Sequence, residues 1–147
     1  MTPATASRQA NSRMTEELKW TFNDGWILMS VFFNHGQDGA SLDGLIVAAD
    51  LMNHAIPTSS ELSRSLSRLA SCGVLVEVDS RYRISEEYLP MLAKAYQGRG
   101  GVFSTPDKGT KWLSRMKFEV IEAPAIQISA KQLRDAIKRY HQLFRQE

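Results

Sequence analysis

Arg64 and Arg68 stand four residues apart in the phrase TSSELSRSLSRLASCGVL, so on a helix they project from one face, a single turn apart. Two guanidinium forks at that spacing suit bidentate hydrogen bonding to guanine O6 and N7 in a major groove. Ser60 and Ser67 share the face and are short enough to reach phosphates or bases without holding the helix away from a duplex. Arg81 and Arg83, alternate residues of a short strand, supply cations for phosphate. Such groups suit nucleic acid, so these six residues are the candidate DNA contacts, the alternative being a solvated helix face on which Glu61 pairs with the arginines.

Other chemistries find little to work with. His35, His54 and His141 are far apart and lack ligand spacing, and Cys72 has no partner thiol, so no metal site is expected. No nucleophile sits with a recognisable base, and no paired acids suggest a cleft, so the chain reads as a non-enzyme. GRGG at Gly98 to Gly101 has neither the spacing of a dinucleotide loop nor the lysine of a phosphate loop, and no cofactor is expected. Cys72 reads as a small core residue, and Asp50, Asn53 and His54 as local capping at a helix end.

The elements that must position the arginines follow from periodicity. Asn23 and Asp24 precede WILMSVFFNHG, apolar on nearly all sides, which predicts a helix at the centre of a domain and ended by Gly36. Ser41 caps a second helix with Leu42, Leu45, Ile46, Ala49 and Met52 at helical spacing. Thr58 and Glu61 form a capping box for a third, whose inward stripe is Leu62, Leu66 and Leu69. Gly73 stops it, and Val74 to Val78 and Arg81 to Ile84 alternate as a hairpin around Asp79 and Ser80. Helices are then expected from about Ser85 to Tyr96, from Thr105-Pro106-Asp107 to Met116, and from the capping box Ser129/Gln132 to about Phe144. Between the last two, KFEVIEAPAIQI is either a short strand or an extended connection.

With 147 residues, 43% of them hydrophobic, one compact core is sufficient. No apolar run reaches the roughly 18 residues of a membrane span, and the opening stretch lacks the apolar middle of a secretory signal, so a cytoplasmic protein with no membrane role is expected. The net charge of +2 conceals a split. Residues 21–90 hold four Arg against nine Asp and Glu, a balance of −5, whereas residues 91–147 balance at +6. A field attractive to nucleic acid therefore comes mainly from the C-terminal third, where Lys131, Arg134, Lys138 and Arg145 line one side of the last helix. Opposite them Leu133, Ile137, Tyr140 and Phe144 form a stripe that either packs on its own domain or pairs with a second copy in a homodimer.

The order helix, tight turn, helix, two strands resembles the winged helix-turn-helix superfamily of bacterial regulators over Asn23 to Ile84. TSSELSRSLSRLASCGVL looks like a recognition helix with its following strand, and VEVDSRYRIS like the wing. The phrase AADLMNHAIPTSSEL is also loosely similar to short bacterial proteins of unassigned role. The resemblance implies a winged helix domain, and with the composition and periodicity of the rest the chain is expected to be α+β, mostly helical, with residues 1–20 a flexible tail and lead-in, 21–97 the winged helix domain, and 98–147 a C-terminal helical extension that packs on the domain or dimerises. It implies double-stranded DNA as partner and a role in transcriptional control, with the third helix in the major groove and the hairpin on the adjacent backbone. Glu77 and Asp79 place negative charge on that hairpin. The alternative is a protein–protein interaction module on the same fold that binds no DNA.

Overall fold

The computed structural model describes residues 19–34, 36 and 38–145, with side chains through residue 143. The expected N-terminal tail over residues 1–18, His35, and the side chains of Phe144 and Arg145 lie outside the described residues. Those described form six α-helices and one two-stranded antiparallel sheet, a mostly helical α+β chain.

Helix α1, Phe22–Phe33, lies at the centre, with Trp26, Ile27, Leu28, Met29 and Val31 all buried. It starts earlier than Asn23 and Asp24 suggest, because Thr21 is the cap. The Asp24 carboxylate accepts from the Thr21 backbone N–H at 2.9 Å, and the Thr21 hydroxyl accepts from the Asp24 N–H. Helix α2, Leu42–Asn53, is capped by Ser41 and ends at His54 in the left-handed region. Helix α3, Ser59–Ser71, carries the expected Thr58/Glu61 box, and Leu62, Leu66 and Leu69 are fully buried.

Strands β1, Leu75–Val78, and β2, Arg81–Ile84, pair with Leu75 opposite Ile84 and Val78 opposite Arg81. Asp79 and Ser80 both have positive φ, the two-residue turn whose twist matches that of the strands it joins. On its other edge β2 receives one bridge, where Ala40 and Tyr82 exchange backbone hydrogen bonds of 2.8 Å.

Helix α4, Leu89–Tyr96, follows a 3₁₀ turn at Glu86–Tyr88, and α5, Thr105–Arg115, follows another at Val102–Ser104. The last helix, α6, is Ala130–Arg145. Helices α1 and α5 approach closely where two glycines meet. A Cβ on Gly109 would lie 2.7 Å from both the Gly25 carbonyl oxygen and Met29 Cγ, so no larger residue fits that crossing unless the helices separate. Residues 116–129 form neither helix nor strand and run as an extended strap between α5 and α6.

Candidate functional site: the outward face of the third helix

The strap lies along α3. Its apolar residues Phe118, Val120, Ile126 and Ile128 are buried, while Glu119, Ile121, Glu122 and Gln127 face out, the alternation of an extended chain with one side covered. What holds it is a row of serines. Ser67 Oγ accepts the Ile126 N–H at 2.9 Å and donates to the Ile126 carbonyl at 3.0 Å. One turn back, Ser63 Oγ accepts from the Ile128 N–H at 2.9 Å and donates to its carbonyl at 3.3 Å. One turn forward, the Ser71 carbonyl accepts the Ile121 N–H at 2.6 Å.

A hydroxyl has one donor and two lone pairs, so each serine satisfies both backbone groups of one residue, as a paired strand would. The spacing matches as well. Four helical residues rise about 6 Å, and two extended residues advance about 6.6 Å, so serines at 63 and 67 meet strap residues 128 and 126 in antiparallel register. The match stops at Ala123-Pro124-Ala125, where five residues rather than two separate the bonded Ile126 and Ile121.

This arrangement corrects part of the site expected from sequence. Ser67 is bonded within the chain and does not face a groove. Arg68 also turns inward. Its Nη2 donates to the Lys19 carbonyl at 2.7 Å, and its guanidinium stacks 5.1 Å from the Trp20 ring centre. Its Nε lies 3.3 Å from Asp24 Oδ2, close enough for charge attraction although not directed as a hydrogen bond. The Asp24 side chain is 2% exposed and that of Arg68 21%, so the pair is largely removed from water. Ser65 donates to Asp24 Oδ1 at 2.8 Å, and Trp20 meets Phe118 edge to face. One arginine thus ties the start of α1, the chain leading into it, α3 and the root of the strap.

Ser60 and Arg64 remain exposed near the start of α3. Arg81 donates from Nη1 to the Gly39 carbonyl at 2.9 Å and so helps hold the loop before the Ala40 bridge. Arg83 is exposed, with its stem beside Gly39, whose φ of +88° and lack of Cβ permit that approach. The hairpin tip is only Asp79 and Ser80, leaving little to reach an adjacent backbone.

The described part of the α6 stripe packs within the chain: Leu133 and Ala136 are buried, and Ile137 and Tyr140 are half-buried against the core. Polar contacts fix the helix on α2. The Tyr140 hydroxyl donates to Asp50 at 2.7 Å, and Arg139 holds Asp43 through two bonds of 2.7 and 2.8 Å, which draws that carboxyl below its usual pKa. Lys131, Arg134 and Lys138 face outward.

Known protein families, curated proteins and solved structures hold no match to this chain. Its chemistry must therefore be read from its own geometry. Cys72 is buried, and burial pushes its thiol up to about 11, which suppresses the nucleophilic thiolate. Among the described residues no group of three or more His, Cys, Asp or Glu side chains is placed to hold a metal ion, and no helix is long and apolar enough to cross a membrane.

The sequence reading overlooked Ser63. Its signal was present in the series Ser63, Ser67, Ser71 at four-residue steps, a polar row continuous along a helix whose other side is leucine. Ser63 and Ser67 turn their hydroxyls to the strap backbone, whereas the Ser71 hydroxyl donates to the Arg68 carbonyl and leaves its own carbonyl for the strap.

Proposed function

We propose that this chain is a winged-helix-type module that acts through protein contacts, without catalysis and without laying its third helix in a DNA groove. The winged-helix part is supported by the order helix, single bridge at Ala40, helix, helix, hairpin, with Ala40 and β1 on opposite edges of β2. The protein-contact part rests on one observation: Ser63 and Ser67 of α3 already hold an extended polypeptide, each accepting the N–H and donating to the carbonyl of one backbone residue. The −5 balance of residues 21–90 and the two-residue hairpin tip point the same way.

DNA binding is the second reading, favoured by the exposure of Ser60 and Arg64 and by Lys131, Arg134 and Lys138 on α6. Titrating a labelled duplex with the protein at low salt separates the two. The interaction reading expects affinity weaker than the roughly micromolar to 100 micromolar range of ordinary non-specific binders. Binding within that range, weakened by salt and lost in Arg64→Ala, would transfer the assignment to DNA.

A further inference from the structure

The strap occupies its slot on terms that another chain can meet. Ser63 and Ser67 recognise only backbone groups, so the hydrogen bonds select an extended conformation and no particular residue. Selectivity is left to the two positions that point inward, Ile126 and Ile128. We infer that the slot takes an extended peptide of another protein, with branched aliphatic residues two positions apart, in the place held by residues 125–128. This rests on the protein-contact reading above and names the partner of that face.

The middle of the strap is suited to yield. Its start is fixed separately, by Phe118 among Trp20, Tyr88 and Trp112, and its end by α6, which Arg139 and Tyr140 hold on α2. Residues 121–128 can therefore lift while both flanks stay docked. Between them only alternate side chains are buried, and Glu122, Pro124, Ala125 and Gln127 are ordered without gaining burial. The same flanks favour a foreign peptide over a second copy, because exchange between copies requires α6 to leave α2.

Because the strap is tethered, it competes at high effective concentration, and the unaltered protein should bind such a peptide weakly. The test uses the full chain and a fluorescein-labelled peptide Glu-Ala-Pro-Ala-Ile-Gln-Ile-Ser-Ala, a copy of residues 122–130. In an Ile126→Ser/Ile128→Ser variant the strap loses its grip and the slot is intact, so the peptide should bind roughly tenfold tighter or more. Adding Ser63→Ala/Ser67→Ala should remove that gain, and a peptide with both isoleucines replaced by serine should not bind.

Hydrogen exchange on the unaltered protein gives an independent arm. The Ile126 and Ile128 amides should exchange about a hundredfold faster than amides inside α3 such as Leu66. A folded strap variant that binds no better than the unaltered protein overturns the inference, as do strap amides that exchange only with global unfolding. A parallel duplex titration distinguishes the failures. Tight duplex binding lost in Arg64→Ala removes the protein-contact reading itself, whereas a silent duplex with a silent peptide removes only the slot.

Discussion

Replacing Arg68 by alanine strips three contacts at once: the attraction to Asp24, the hydrogen bond to the Lys19 carbonyl and the stacking on Trp20. Breaking a fully buried ion pair by removing one partner costs about 3–5 kcal/mol. Two features reduce that here. Arg68 retains 21% of its side-chain exposure, and Asp24 keeps donors in the Thr21 N–H, the Thr21 hydroxyl and Ser65. A hydrogen bond of about 1 kcal/mol and a cation–π contact of about 0.5–1 kcal/mol add to the loss. The expected destabilisation is therefore about 3 kcal/mol, and for a chain of this size that lowers Tm by roughly 10 °C. Urea unfolding followed by circular dichroism measures it, with Arg64→Ala, an exposed site, as the comparison within about 0.5 kcal/mol of the unaltered protein. If Arg68→Ala is as mild as Arg64→Ala, the latch does not exist and that guanidinium is free for a partner.

Gly109→Ala should destabilise by about 1–3 kcal/mol by forcing α1 and α5 apart, whereas Gly101→Ala, whose Cβ would meet nothing within 4 Å, should be neutral or slightly stabilising in the same unfolding assay. Stability should decline in alkali. The Cys72 thiol ionises at about 11 in the folded chain against an ordinary 9.0, so the unfolded chain loses its proton first, and folding weakens as pH rises from 9 toward 11. Burial raises the Tyr82 hydroxyl to about 12 and extends the decline, so urea midpoints should fall across this window, with less slope in Cys72→Ala. Tyr140→Phe should cost about 1 kcal/mol in thermal unfolding through loss of the bond to Asp50, and an unchanged Tm would show that α6 does not depend on it.

Most helix starts are readable where the capping chemistry is local. Thr58 with Glu61, Ser41, and Ser129 with Gln132 all cap as their spacing implies. The start of α1 was misplaced because Asn23 and Asp24 resemble caps, whereas Asp24 is the third helical residue, reaching back to Thr21. Arg68 was misjudged for a different reason. A helical wheel gives a direction from the axis but not what lies in that direction, and Trp20 and Lys19 arrive from 48 and 49 residues away in sequence. The strap shows the same limit. KFEVIEAPAIQI has a strand's alternation, but its partners are side-chain hydroxyls on a helix, a pairing that strand patterns do not encode. The apolar stripe of α6 is legible as a stripe, while its seat on α2 is not, because the Arg139–Asp43 contact joins residues 96 apart in sequence.

The 65 residues that separate Ser63 from Ile128 also impose a schedule. A ribosome adding roughly 5–20 residues per second needs several seconds to make the stretch from α3 to the strap, during which the hydroxyls of Ser63 and Ser67 have no strap to bond. Late synthesis of the strap thus makes covering of the Ser63 and Ser67 face one of the last pairings the chain is able to form.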